Sequence, residues 1–161
     1  TGFRYAFKKG YQMVIQFDAD GQHLPEYIHA LETKIRQGND CVIGSRFVNM
    51  PKEKSLRMLG NSLISFVIKL TTGKRITDPT SGMRVFNEDL IKLFAQNINY
   101  TPEPDTISHL IRQGYHVEEV QVDMMDRQAG QSYLTLSRSI KYMFHMIVSI
   151  LLIQNFRKKT S

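Results

Sequence analysis

Apolar positions along this chain recur with two different periods, and the switches between them mark out its elements. Phe3, Tyr5, Ala6 and Phe7 precede Lys8, Lys9 and Gly10, which predicts a helix stopped by glycine. Residues 13–17 (MVIQF) are an apolar run of strand length, expected to be buried on both faces of a parallel sheet. Pro25 suits the first turn of a following helix, with Tyr27, Ile28, Leu31 and Ile35 as its apolar stripe. The break "QGND" leads into a second strand, "CVIG", at 41–44. Strand, helix and strand in this order imply a right-handed parallel crossover. Ligands collect at the carboxyl ends of such strands, so "DADGQH" (18–23) and "GSRF" (44–47) are expected on one edge.

The second half continues as α/β. Residues 49–55 are polar, contain Pro51, and read as a loop. A weakly charged helix is predicted over 56–70, with Leu59, Leu63, Phe66, Val67 and Leu70 at helical spacing. "TGKRITDPTSG" (72–82) is a loop with two turn signals, Asp78-Pro79 and Ser81-Gly82. "MRVF" (83–86) predicts a short strand, and 88–95 and 104–112 predict helices, the second ending at Gly114. "HVEEVQVDM" (116–124) alternates like a half-exposed strand, "DRQAGQS" (126–132) is a polar loop, and 137–156 reads as a long apolar helix.

Composition narrows the class. The 161 residues suffice for one domain with its own core, and 42% hydrophobic with 22% charged residues argues against disorder. A net charge of +6 favours anionic partners. The basic residues are scattered rather than striped along one helix with aromatics, so nucleic acid is not an expected partner. The single cysteine, Cys41, lies in the apolar "CVIG"; it excludes an internal disulfide and reads as a small core residue.

The candidate chemistry centres on Asp18 and Asp20, two like charges one residue apart at the end of a buried strand. Their repulsion must be offset. A bound divalent cation does so, and hard oxygen ligands suit Mg²⁺ or Mn²⁺ with phosphates and water completing the shell. The competing reading is an exposed turn whose Asp20-Gly21 caps the next helix. A calcium-binding helix-loop-helix fails, because it needs glycine at the sixth position and ligands out to a twelfth-position glutamate. Here glycine stands fourth, and Leu24 interrupts the ligands. A haloacid-dehalogenase-type phosphatase also opens with an apolar strand, D-x-D and glycine, but would want threonine in place of Gln22; it is the alternative.

With "FDADGQH", "IGSRF", "RMLGNSLIS", "TDPTSGMRVFN" and "DRQAGQS" in this order, the chain resembles family-2 glycosyltransferases. Those making polyprenyl-phosphate sugars are the nearest in pattern. The resemblance implies a partial GT-A fold, a Rossmann-like nucleotide-diphospho-sugar transferase with a parallel-rich sheet and flanking helices. It implies an inverting, metal-dependent transferase taking a UDP- or GDP-linked sugar to a lipid-phosphate acceptor, or to a glycan. Asp18, Asp20 and Gln22 would hold Mg²⁺ or Mn²⁺ on the donor diphosphate, whose departing charge the cation stabilises. Gly21 would let the backbone approach the donor.

Arg46 could clamp a phosphate with its planar fork; a surface ion pair is the competing reading. By resemblance, Arg57 would face the acceptor's phosphate, and Arg127, with Ser132 nearby, the donor diphosphate. Asp78 and Thr80 build a turn on their own chemistry, and the resemblance sets this loop beside the acceptor. A lipid phosphate is already anionic and needs no base, so Asp78 would position it; a hydroxyl acceptor would need one of Asp78, Glu103 or Asp105. Asp105 stands where relatives often carry glutamate, which shortens the side chain. His23 is expected to support the loop rather than bind metal, since a hard cation prefers oxygen.

Residues 1–136 are thus expected to be the C-terminal part of a GT-A catalytic domain, and 137–161 an apolar helix with a basic tail. "YMFHMIVSILLI" (142–153) is twelve residues, whereas a span wants ~20. It reads as interfacial or core-packed, with Arg157, Lys158 and Lys159 suited to anionic headgroups, and the 56–70 helix as a second membrane-facing surface. This implies a cytoplasmic enzyme, peripheral on the inner face of the cell envelope's membrane. In the family an amino-terminal segment with an early acidic residue holds the base and ribose, and nothing here corresponds to it. The chain reads as the later part of a longer enzyme, or as an inactive fragment serving only as a binding module. Calorimetric titration of the isolated chain with UDP-sugars and GDP-mannose plus Mn²⁺ is therefore expected to give no micromolar binding.

Overall fold

The computed structural model describes residues 2–52, 55–97, 103–125 and 136–153. Helix α1 (Gly2–Lys9) leads to strand β1 (Met13–Gln16). A single 3-10 turn, Pro25–Tyr27, feeds α2 (Ile28–Arg36), followed by β2 (Cys41–Ser45) and the long α3 (Leu56–Thr72). Then come β3 (Arg84–Asn87), α4 (Glu88–Gln96), α5 (Pro104–Arg112), β4 (Val117–Gln121) and α6 (Leu136–Val148), which widens into a π-helical turn, Ser149–Ile153.

The local chemistry of the boundaries is visible in the sequence. The Ser55 hydroxyl accepts from the Met58 N–H and caps α3, whose other end is closed by Gly73 at φ +75°. Asn87 ends β3 and caps α4 by accepting from the Leu90 N–H at 3.0 Å. Its amide also donates to Asp40 at 2.7 Å, which ties the start of β2 to the end of β3.

The four strands lie in the order β1-β3-β2-β4. β3 is antiparallel to both β1 and β2, and β2 is parallel to β4. Hence β1, β2 and β4 run the same way, as the expected parallel-rich sheet requires, while the reversed β3 is inserted between β1 and β2. The crossover through α2 therefore joins co-directional strands that are not neighbours. One expectation is corrected: 13–17 is not buried on both faces. β1 is an edge strand and its four residues are half-buried. The doubly covered strand is β2, all five of whose residues are buried.

Alternation along β2 distributes the core to both faces of the sheet. Cys41 and Ile43 join Phe86, with Ile64, Ile68, Leu90, Phe94, Ile107, Leu110, Met146 and Ile150 from α3 to α6 and the π-helical turn. Val42 faces the other way and joins Met83, Val85 and Val122 under Leu31 and Ile35 of α2. Of the stripe expected on α2, Leu31 and Ile35 are buried, Tyr27 is partly so and Ile28 is exposed.

α3 differs most from its reading. The residues that repeat most regularly, Leu59, Leu63, Phe66 and Leu70, point outward with Leu56, from 47% exposed at Leu63 to 69% at Leu70. The face turned inward is mixed: Met58, Asn61, Ile64, Ser65, Val67 and Ile68. No helix among the described residues is long and apolar enough to cross a membrane. The "YMFHMIVSILLI" segment packs into the core through Met146, Ser149 and Ile150 while Phe144, Leu151 and Leu152 remain exposed. The basic tail lies outside the described residues.

Burial pushes the Cys41 thiol up to about 12. With no thiolate and no access, the native chain is expected to be inert to Ellman's reagent at neutral pH and to react with one equivalent on unfolding in guanidinium, read at the thionitrobenzoate absorbance.

Candidate functional site

Because β3 is reversed, its entry loop reaches the edge where β1, β2 and β4 end. That edge holds the 18–23 turn after β1, Arg46 after β2, the 77–82 loop before β3, and Asp123 after β4.

The deepest element is Asp78. Its carboxylate is fully buried, yet Arg46 donates to it through Nε at 2.7 Å and Nη2 at 3.0 Å. The Asn61 amide of α3 adds a bond to Oδ1 at 2.8 Å, and the Arg46 backbone N–H a longer one at 3.3 Å. Such saturation is what keeps a buried carboxylate tolerable as an anion. Asn61 also bonds Thr80 at 2.7 Å and accepts from Lys52. Burial lowers the Lys52 ammonium below its ordinary value, against the pull of Asp78 and Glu119.

Glu119 of β4 fixes the loop from beneath. It accepts from the backbone N–H of Thr77 at 2.6 Å and of Asp78 at 2.8 Å, and from the Thr77 hydroxyl at 2.9 Å. Gln121 does the same for the turn after β2, donating to the Arg46 carbonyl and accepting from the Asn49 N–H.

The aspartate turn is held by His23. The ring is buried, edge-on to Phe17 at 5.3 Å, and its Nδ1 accepts from the Asp18 N–H at 2.9 Å. That bond assigns the proton to Nε2, 3.9 Å from Asp18 Oδ2. His23 thus supports the loop, as expected. Asp20 Oδ1 accepts from the Gln22 N–H at 3.1 Å, closing a local turn. A pairing of His23 with Met124, and a bond from Met125 N–H to the Gln22 carbonyl, tie this turn to the segment after β4. Gly82 brings it against the 77–82 loop: a Cβ built there would lie 2.3 Å from Asp18 Oδ2. A side chain there would push the Asp18 carboxylate out of this position.

Asp18, half exposed, Asp20 and Gln22 offer oxygen donors on one short turn, a set that fits a hard divalent cation. No cluster of three His, Cys, Asp or Glu occurs among the described residues, so a cation there would depend on phosphate and water for its remaining ligands. Arg46 is neither a solvated surface pair nor a free clamp: its fork is committed to Asp78, and its guanidinium stacks at 4.9 Å over Phe47. Glu103 and Asp105, the other candidate bases, are engaged by α6 and the π-helical turn after it: Tyr142 donates to Glu103 at 2.6 Å and Ser149 to Asp105 at 2.7 Å. Burial and the Glu103 bond raise the Tyr142 phenol above its usual range. Arg127 and Ser132 lie outside the described residues, as does the side chain of Arg57.

Asn61 and Glu119 were missed by the sequence reading. Asn61 did leave a signal, a lone amide in an otherwise apolar helix. Glu119 left little, since Glu118 beside it looks the same and only pairing decides which one turns to the loop.

The profile of glycosyl transferase family 2 matches residues 1–94, and the chain belongs to that family. The family implies a GT-A fold, not the haloacid-dehalogenase fold. An undecaprenyl-phosphate mannosyltransferase of Micrococcus luteus is 28% identical over 84% of this chain and 58% of its own length. A polyprenol monophosphomannose synthase of Mycolicibacterium smegmatis is 28% identical over 89% of this chain and 57% of its own. A UDP-N-acetylglucosamine–dolichyl-phosphate N-acetylglucosaminyltransferase of Methanococcus voltae is 34% identical over 61% and 41%. The chain therefore spans under three fifths of the length of these curated relatives, all named for a polyprenyl or dolichyl acceptor.

Removing Arg46 would leave Asp78 charged, buried and short of donors. Arg46→Met is expected to destabilise the fold by roughly 2–4 kcal/mol, less than for a fully buried pair because Arg46 keeps contact with water. Arg46→Met with Asp78→Asn should recover much of that loss, as measured by a double-mutant cycle in urea.

Proposed function

We propose that this chain carries the metal corner and acceptor side of a transferase that moves a sugar, with inversion, from a UDP- or GDP-linked donor to a polyprenyl phosphate at a membrane surface. The reading is supported by the family, by relatives named for lipid-phosphate acceptors, and above all by one observation. The Asp18 carboxylate and the Asp78 loop meet at Gly82, so a donor diphosphate and an acceptor could be served from one edge.

Asp18, Asp20 and Gln22 would hold Mg²⁺ or Mn²⁺, which would neutralise charge on the departing nucleoside diphosphate. His23 keeps Asp18 in place through its backbone N–H. Asp78 positions rather than deprotonates: its oxygens already accept from Arg46 and Asn61, and an acceptor that is itself a phosphate needs no base. Arg46, braced by Asp78 through Nε and Nη2, would present the remaining edge of its guanidinium to a phosphate. Arg57 is proposed for the acceptor phosphate, and Arg127 with Ser132 for the donor diphosphate. The enzyme would work from the cytoplasmic face, peripheral to the bilayer.

The test is transfer of labelled sugar from UDP- and GDP-sugars to polyprenyl phosphate by the enzyme carrying this chain, with and without chelator, together with equilibrium Mn²⁺ binding. Asp20→Asn should lower kcat by roughly 10²-fold or more and weaken Mn²⁺ binding. Gly82→Ala, which pushes on Asp18, should weaken Mn²⁺ binding while leaving the urea midpoint nearly unchanged. Chelator-insensitive transfer, or a wild type blind to Mn²⁺, would refute the metal-dependent reading.

A further inference from the structure

Beside the 77–82 loop, a cavity of about 370 Å³ opens between the segment after β2 and the outer face of α3. Its walls carry three cations, Lys52, Lys69 and Arg75, with Ser62, Phe66 and Phe47 among the remaining residues and no carboxylate among the described residues that line it. Lys69 and Arg75 are exposed and make no ion pair among the described residues, whereas neighbouring Lys74 is matched by Glu118 at 3.7 Å. Lys52 is half-buried and oriented by Asn61. Among the described residues, Arg46 with these three against Asp78 and Glu119 leaves two positive charges in excess, Asp78 being paired with Arg46 and Glu119 accepting from the loop's neutral donors.

The same helix supplies an apolar ridge. Leu56, Leu59, Leu63, Phe66 and Leu70 repeat every three or four residues along its outer face, which at 1.5 Å per residue is about 20 Å long. Phe66 belongs to both ridge and cavity. Beside it α6 presents Ile140 and Phe144, held close because Gly60 of α3 packs directly on Met143. An apolar ridge with cations at its flank is complementary to an amphiphile carrying a phosphate at one end.

We infer that the Lys52–Lys69–Arg75 cavity is a headgroup site for an anionic bilayer phospholipid, whose acyl chains lie on the α3 ridge and whose phosphate sits among the three cations. This deepens the membrane-surface reading above and rests on it. The site contributes no reacting group. It sets the depth and tilt of the domain, so that the loop beginning at Thr77, part of the cavity wall, is held at headgroup level. Charge complementarity selects this occupant over a second copy of the chain, which at net +6 would bring cations against cations.

Flotation of the chain with phosphatidylcholine vesicles, with and without phosphatidylglycerol, tests the site at fixed ionic strength. Lys69→Glu/Arg75→Glu is the pocket variant, and Lys8→Glu/Lys9→Glu at the end of α1 makes the same change in net charge elsewhere. Leu63→Ser/Phe66→Ser tests the ridge, and unchanged urea midpoints show that each variant folds. The wild type should favour phosphatidylglycerol vesicles by tenfold or more. The pocket variant should lose most of that preference, the α1 variant should retain most of it, and the ridge variant should bind both vesicles more weakly. Glycerol phosphate, which offers the phosphate without the chains, should compete only weakly. Equal losses in the pocket and α1 variants would overturn the inference, as would a preference that survives in the pocket variant, potent competition by glycerol phosphate, or a dimer in sedimentation that Phe66→Ser dissolves. Ridge-dependent binding indifferent to phosphatidylglycerol would overturn the pocket and keep the membrane reading; no binding to either vesicle would overturn both.

Discussion

The architecture of this site turns on a single anion kept out of water. Asp78 is fully buried, and a buried carboxylate is tolerable only when its oxygens are met by donors. Those donors come from two places far apart in sequence, Arg46 after β2 and Asn61 within α3, while Glu119 of β4 accepts from the Asp78 N–H and braces the loop from beneath. Satisfying the charge fixes the end of β2, a helix and the loop relative to one another, and Glu119 adds β4. The same bonds prevent Arg46 and Asp78 from acting independently. Two donor groups of the Arg46 fork and both Asp78 oxygens are occupied by these bonds.

The reversed strand gives this anion its significance. A purely parallel sheet would place the amino end of the third strand, and the loop before it, on the opposite edge from the aspartate turn. With β3 antiparallel and wedged between β1 and β2, the 77–82 loop arrives where those strands end, and Gly82 lets the Asp18 carboxylate settle on it. Two motifs some sixty residues apart become one site through strand direction alone.

α3 carries a mixed face and an apolar one and uses them differently. Its inner face tolerates Asn61 and Ser65 because each has a partner, Asp78 and the Ile76 carbonyl respectively. Its outer face is the more uniformly hydrophobic and remains unburied. In a water-soluble domain the order would be reversed, the greasier face turned inward. Retaining the polar face inside holds the 77–82 loop, and presenting the greasy face outside accords with the proposed lipid acceptor.

Much was legible from letters. Helix and strand periods, the glycine stops, the D-x-D turn and the family all follow from local chemistry, because spacing and turn residues act over a few positions. The role of His23 followed too, since a hard cation prefers oxygen. What local chemistry could not specify was anything decided by pairing between distant segments. These include the edge position of β1, the insertion of β3, which face of α3 goes inward, the commitment of Arg46 to Asp78, and the diversion of Glu103 and Asp105 to α6 and the π-helical turn after it. The physical reason is common to all of them. A sequence records which groups need burial or a partner, while only the closed chain decides which of several suitable partners each one meets.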